Sequence, residues 1–251
     1  MASPFALIAL CVATLVAGPA LASSGTALGV DQQARLEDRS GVRTLVVGSD
    51  VFIGDRVVTD ARGLVQIRFS DRTELVVGPN SALVIEDYLL REDGSSGKFA
   101  INALSGTFRF VTGGAPKDRY SIRTPTGTVG VRGTAFDLNV RGDHASLLLY
   151  QGAVVMCNNA GQCITVEDFC DIGMFDPAEA RLLGNADDFV GTERAAMRSM
   201  FPWSVSEAPL LPAFWVNGAR DCLNRAVQPN VPDSLVRGEE APTPPRQKPI
   251  G

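Results

Sequence analysis

From residue 41 to residue 172 apolar and polar positions alternate in short runs, each broken by glycine, proline, asparagine, aspartate or serine. In Val65-Gln66-Ile67-Arg68-Phe69 the apolar members take every second place. Successive side chains of a strand point to opposite faces, so this run turns Val65, Ile67 and Phe69 to one side and Gln66 and Arg68 to the other. The same reading predicts strands over 44–47, 56–59, 64–69, 74–77, 82–88, 98–103, 107–111, 120–124, 128–131, 135–140, 145–150, 153–156 and 164–167. These runs favour Val, Ile, Thr, Phe and Leu, which fit a pleated surface. Ile85, Phe108, Phe110, Val129, Val131, Phe136, Leu138, Leu147 and Leu149 are the expected core. Many short strands at close spacing make an all-β fold, built as a sandwich, a barrel or a solenoid.

The alternation fades at both ends. Residues 23–40 read as a polar spacer. Beyond residue 173 the chain reads as a helical extension to residue 226. There Asp176 can cap a helix that begins at Pro177, and a second helix is predicted over 187–201. Residues 227–251 are dominated by proline and charge and lack the apolar content to order themselves.

Residues 5–21 are almost continuously apolar and run into Ala20-Leu21-Ala22. An apolar core followed by small residues at that spacing marks a secretory signal peptide over residues 1–22. Gly18 and Pro19 interrupt the run, which falls short of the ~20 residues of a membrane span. No later segment is apolar for long enough to cross a bilayer. The product is therefore expected in the periplasm or secreted, and not inserted in a membrane after cleavage.

Every charged side chain lies beyond residue 22, and the formal net charge is −5. A mildly acidic chain without a run of basic residues is a poor match for nucleic acid or an anionic membrane surface. Four cysteines lie beyond the signal segment: Cys157, Cys163, Cys170 and Cys222. An even number in an exported chain favours disulfides, with three pairings open. Cys157 and Cys163 flank the turn-rich run 158–162 and can face each other across a hairpin, which leaves Cys170 for Cys222. The spacings lack the paired Cys-x-x-Cys of a zinc knuckle.

Catalytic chemistry has little to build on. His144 is the single histidine and comes directly after Gly142-Asp143, a hairpin turn, so it reads as a surface residue at a strand start. Glu86, Asp87, Glu92 and Asp93 lie on or beside a polar loop and read as solvated turn chemistry rather than a glycosidase pair. No phosphate loop, nucleophile elbow or His-Glu-x-x-His occurs. Arg132 sits between Gly130 and Gly133 on an apolar ribbon. Its planar donors are expected to satisfy backbone carbonyls locally, the alternative being an anion or partner contact.

Several stretches, in order, resemble the FecR family. Gly54-Asp55-Arg56-Val57-Val58-Thr59 is similar to its opening, and residues 66–75 to its hairpin turning at Asp71 and Thr73, with Arg72 where the family usually has glycine. Val77-Gly78-Pro79-Asn80-Ser81 resembles its Gly-Pro corner, and Gly106-Thr107-Phe108-Arg109 its Gly-x-Phe-Arg strand. The longest match runs from Tyr120 to Asn139 through Thr124, Pro125, Gly130, Arg132, Gly133 and Thr134, and Gly152 with Val154 closes the series. The resemblance implies a compact, solenoid-like β domain over 41–172, without enzyme activity or cofactor, that binds another envelope component. A receptor or signalling protein is the first partner class and a glycan the second. Family regulators resemble a relay in iron-uptake signalling, of which this chain is expected to keep only the outer module. Trp203 and Trp215 fall outside the β region, which weighs against a sugar site within it. The motif residues, Gly54, Asp55, Thr59 and Gly152 among them, are expected to shape the backbone, with glycine required at both 130 and 133.

Small residues at Ala20 and Ala22 place peptidase cleavage before Ser23. Intact-mass analysis of the exported protein is expected to give a chain starting at Ser23; a retained Met1 would contradict the assignment.

Overall fold

The computed structural model describes residues 23–31, 33–90, 96–113 and 120–224. The expected signal peptide over residues 1–22, the proline-rich tail, Glu92 and Asp93 lie outside these residues. Strands appear in chain order as β1 (Gly25–Asp31), β2 (Ala34–Asp38), β3 (Gly41–Thr44), β4 (Asp50–Val51), β5 (Arg56–Thr59), β6 (Leu64–Phe69), β7 (Glu74–Val77) and β8 (Ala82–Leu90). They continue as β9 (Ser96–Val111), β10 (Tyr120–Thr124), β11 (Gly127–Arg141), β12 (His144–Asn158), β13 (Cys163–Val166), β14 (Asp171–Phe175) and β15 (Ala180–Asn185). Two helices, α1 (Gly191–Met200) and α2 (Asp221–Asn224), and three short 3-10 turns complete the described chain.

The strands form one continuous sheet in the order β15-β14-β12-β11-β10-β9-β7-β6-β1-β4, with β3-β2-β5-β8 joining it at β9 and β13 at β12. Only β9 and β10 pair in parallel among the described strands. Three strands are long enough to serve two parts of the fold. The first half of β9 pairs β8 and β10, and its second half pairs β7 and β11. β11 changes neighbour in the same way, from β10 to β9, after a register shift between Arg132 and Ala135. Gly133, at φ 66°, makes that shift, and Gly152, at φ 83°, lies opposite it on β12. A Cβ on Gly152 would strike the Gly133 carbonyl. Such bulges bend a strand and re-aim the side chains beyond them.

By turning over on itself the sheet encloses one apolar core, drawn from strands between β1 and β14. Through it runs a row of rings, from Phe69 and Tyr88 through Phe99 and Phe110 to Phe136, with neighbouring centroids 4.8–5.9 Å apart. The β6–β7 turn is tied to this row. Asp71 accepts from the Thr73 amide (2.9 Å) and the Tyr120 hydroxyl (2.9 Å), while its own amide donates to Tyr88 (2.8 Å). Burial and the nearby Asp71 push the Tyr88 hydroxyl up to about 12. Arg72, where the FecR pattern has glycine, takes φ 70°.

Strands β5, β6, β7 and β10 have the bounds read from the sequence, and the nine expected core residues are all buried. Pairs of predicted short strands are fused into β9, β11 and β12, because bulges bend these strands without ending them. Four other expectations are corrected. Residues 23–40 are not a spacer but carry β1 and β2. β1 buries Gly25, Ala27 and Gly29, whose small side chains give no hydrophobic signal. The strand expected at 44–47 lies earlier, at Gly41–Thr44. The helix expected from Pro177 is absent. Asp176 does accept from the amides of Ala178 (2.7 Å) and Glu179 (2.9 Å), but it thereby caps the β14–β15 hairpin turn. The capping chemistry was legible; cross-strand pairing decided its use. The second helix begins later than residue 187, at Gly191.

Disulfides join Cys157 to Cys163 and Cys170 to Cys222. Cys157 and Cys163 are direct partners on β12 and β13. The second bond ties α2 to the sheet end at β14. No helix among the described residues is long and apolar enough to cross a membrane.

Glycine is not required at residue 130. Its φ is ordinary and an added Cβ would find its nearest neighbour, the Val155 carbonyl, at 3.8 Å. Gly130→Ala is expected to shift stability by less than ~0.5 kcal/mol. Gly152→Ala is expected to cost at least about 1–2 kcal/mol through its positive φ alone. Thermal melts of the two variants compare them directly.

Candidate interaction surfaces

On the outer face of β6, Gln66 is buried and Arg68 is half-buried, paired with Glu74 at 2.8 Å. The chain beyond β15 returns across the outer face of β6, β7, β9, β11 and β12 and covers it. Trp203, Leu210 and Phe214 pack on Leu64 and Val76 in a second apolar layer. Gln66 accepts the Leu211 amide at 2.7 Å, and the Arg68 guanidinium lies 5.8 Å from the centre of the Phe214 ring.

At the centre of this interface lies Arg109, 1% exposed. Its guanidinium grips Asp137 in bidentate fashion, at 2.7 and 3.1 Å, and donates to Glu207 from the covering segment. Tyr150 donates to Asp137 at 2.6 Å. The Glu207 carboxylate also accepts the Val216 amide at 2.9 Å. The rings of Tyr150 and Trp203 stand 5.1 and 5.7 Å from the guanidinium carbon. Burial pushes the Asp137 carboxyl above its ordinary range, against the pull of Arg109, and pushes the Tyr150 hydroxyl up as well. For Arg109 burial opposes the charge, but Asp137, Tyr150 and Glu207 outweigh it and hold the guanidinium protonated. Every polar group here is engaged within the fold, so the cluster fastens the covering segment. Arg109 was legible only as a letter in a Gly-x-Phe-Arg strand; Asp137, Tyr150 and Glu207 carried no signal, being separated in sequence by up to 98 residues.

The sheet leaves other edges open. β3 pairs with β2 alone. Its hairpin is set by Asp38, which accepts the Ser40 hydroxyl and the amides of Ser40 (2.6 Å) and Gly41 (3.1 Å); the Ser40 hydroxyl and then its amide hold the carboxyl below its usual range. Arg43 reaches the Asp50 carbonyl at 2.7 Å and fixes β3 against the start of β4. Val42, Val46, Val47 and Ile53, along β3 and the turns after it, are 67%, 59%, 65% and 50% exposed. Beside them Glu37 bonds Arg35 and Arg56, each at 3.0 Å. The sequence did not foretell this exposure, since residues 44–47 were expected only as a strand.

The remaining motif residues mostly shape backbone. Gly54 has φ 91°. Asp55, its carboxyl pushed up by burial, accepts the Phe52 amide at 2.8 Å. Thr59 donates to the Gly78 carbonyl at 2.6 Å and accepts the Ser81 amide at 2.9 Å. Thr124 accepts the Gly127 amide at 3.1 Å, and the Pro125 carbonyl accepts from Asn159 at 3.1 Å. The Thr134 amide donates to the Thr112 hydroxyl at 2.9 Å. Arg132 differs from expectation: it is exposed and makes no hydrogen bond or ion pair among the described residues. Next to buried Val131 it takes the exposed place in the alternation of β11. His144 is exposed, 2.5 Å from Asp143, and no hydroxyl bonds it among the described residues. Glu86 pairs with Arg123 at 3.3 Å and Asp87 with Lys98 at 2.7 Å, as solvated strand pairs.

A family model described as FecR protein matches residues 55–155. Among solved structures, two crystal structures of a candidate anti-sigma factor from Parabacteroides distasonis are 12% identical, with a TM-score of 0.41. The overlap spans 52% of this chain and 59% of that one. A cell surface anchoring domain is 31% identical over 24% of this chain and 82% of its own length, with a TM-score of 0.24. No curated protein matches the chain.

Removing one member of a buried ion cluster leaves the others uncompensated, at a cost of about 3–5 kcal/mol. Glu207→Ala is therefore expected to lower the melting temperature and to open the covering segment, with limited proteolysis cutting first between residues 186 and 224. Unchanged melting and cutting would show that the cluster does not hold the segment.

Proposed function

Since a FecR family model matches residues 55–155, we propose that this chain is a non-enzymatic, extracytoplasmic protein-binding module of a signalling system. Its docking site is the open edge of β3. Two disulfides fit an oxidising compartment, and family membership supports a regulatory role. The observation that carries the site is the group of four exposed aliphatic side chains, Val42 on an edge strand with one partner and Val46, Val47 and Ile53 in the turns that follow it. An edge strand presents unpaired backbone donors and acceptors, to which an extended segment of a partner can add as a further strand. Burying a single valine stabilises such a complex by about 1.5–3 kcal/mol. Arg35, Glu37 and Arg56 would then form a polar rim that fixes register. The partner on this reading is the signalling domain of an outer-membrane receptor, of the iron-uptake kind that the family implies.

A photoreactive side chain placed at Val42 or Val47 is expected to cross-link an envelope protein in cells, whereas one placed at exposed Arg181 on β15 is not. Val42→Asp and Val47→Asp should each weaken capture of that partner about tenfold, a loss of ~1.4 kcal/mol, with little change in melting. Equal cross-linking from both edges, or full capture by the aspartate variants, would remove β3 as the site.

A further inference from the structure

The covering segment holds a cleft of about 600 Å³ between the turn at Glu207 and α2, outside the span matched by the FecR model. Its lining includes Glu207, Trp215, Asn217, Arg220, Asp221 and Asn224. We propose that this cleft binds a neutral saccharide, independently of the protein docking proposed for β3.

Four features select that ligand. Trp215 is 52% exposed, yet its indole N–H donates to the carbonyls of Glu207 and Leu210, each at 3.0 Å. The ring is thus fixed on the cleft wall instead of being free to fold inward. A large aromatic surface held in water in one orientation is suited to stack on the apolar face of a pyranose ring. Asn217, Arg220 and Asp221 surround it, all exposed, and their side chains make no hydrogen bond or ion pair among the described residues. An amide, a guanidinium and a carboxylate supply planar donors and acceptors that match adjacent hydroxyl groups. Asn224, by contrast, is committed to the carbonyls of Ser204 (3.2 Å) and Val205 (3.0 Å) and serves as wall.

Charge narrows the class further. Arg220 and Asp221 bring opposite charges to the lining, and the Glu207 carboxylate is already matched by Arg109. A polyphosphate or strongly acidic ligand would find no excess of cations here. A hydrocarbon would leave three polar side chains uncovered. The volume lies within the range that encloses a drug-sized ligand, which leaves room for more than a single sugar ring.

The same chemistry is offered by a free oligosaccharide and by the glycan strands of a cell wall, so the test has two arms. Chitotriose is titrated into the full chain by calorimetry and tryptophan fluorescence, and insoluble peptidoglycan is mixed with it and sedimented. Because Trp203 is buried and Trp215 exposed, an emission shift that survives iodide quenching only when sugar is present reports on Trp215. Chitotriose binding would assign the free sugar as source and co-sedimentation alone the polymer; either supports the cleft. Asn217→Ala and Asp221→Asn are each expected to weaken binding about tenfold without changing the melt, since neither side chain has a partner among the described residues. Trp215→Ala should abolish binding, while Val42→Asp should leave it intact. Absence of binding in both arms, or undiminished binding by Asp221→Asn and Trp215→Ala, would overturn the proposal and leave the β3 reading untouched.

Discussion

A guanidinium almost wholly removed from water can persist only where its charge and all its donors are matched. Arg109 meets that demand with Asp137 and Tyr150 from the sheet and Glu207 from the returning chain. Three acceptors from three distant parts of the sequence must converge on one cation. Leaving any of them out would strand a buried charge, which costs far more than a surface pair contributes. The cluster thus makes the C-terminal segment obligatory to the sheet. The sheet cannot present its outer face to water with Arg109 still paired as it is. The Cys170–Cys222 bond reinforces the same attachment from the far end of the segment.

With both faces of β6, β7 and β9 covered, the alternation of the strands has a different meaning from that of a half-solvated sheet. Polar residues on the outer face are interface residues. Gln66 gives its carbonyl oxygen to an amide of the segment, and Thr59 and Ser81 close a corner on the inner side. The bulges between Ala103 and Ser105 on β9 and at Gly133 on β11 let single strands pass between neighbours without ending. This explains how short sequence runs separated by glycine form continuous strands of up to 16 residues.

Function is left to the groups that this packing does not consume. The motif residues shared with the FecR pattern are mostly spent on turns, caps and close backbone approaches. Free chemistry remains at the margins: aliphatic side chains on the open edge at β3, an uncommitted guanidinium at Arg132, and polar groups around Trp215 on the covering segment. Binding surfaces at edges and on an appended segment, carried by a rigid double-covered sheet, suit a module that holds partners in place.

The sequence by itself determined the strand class, most of the inner core, the cysteine arithmetic and the resemblance to the FecR family. Alternation, turn residues and spacing are local properties, and local geometry transmits them directly into strands such as β5, β6, β7 and β10. It could not reveal β1, whose buried face is made of glycine and alanine, because close backbone approach needs no hydrophobic letter. Nor could it decide that Asp176 caps a hairpin instead of a helix, since both use the same amide-to-carboxylate bonds. The outer face of Val65–Phe69 and the role of Arg109 were beyond it for another reason. Whether a polar residue faces water or a partner depends on a segment 98 to 145 residues away, and only the tertiary structure brings the two together.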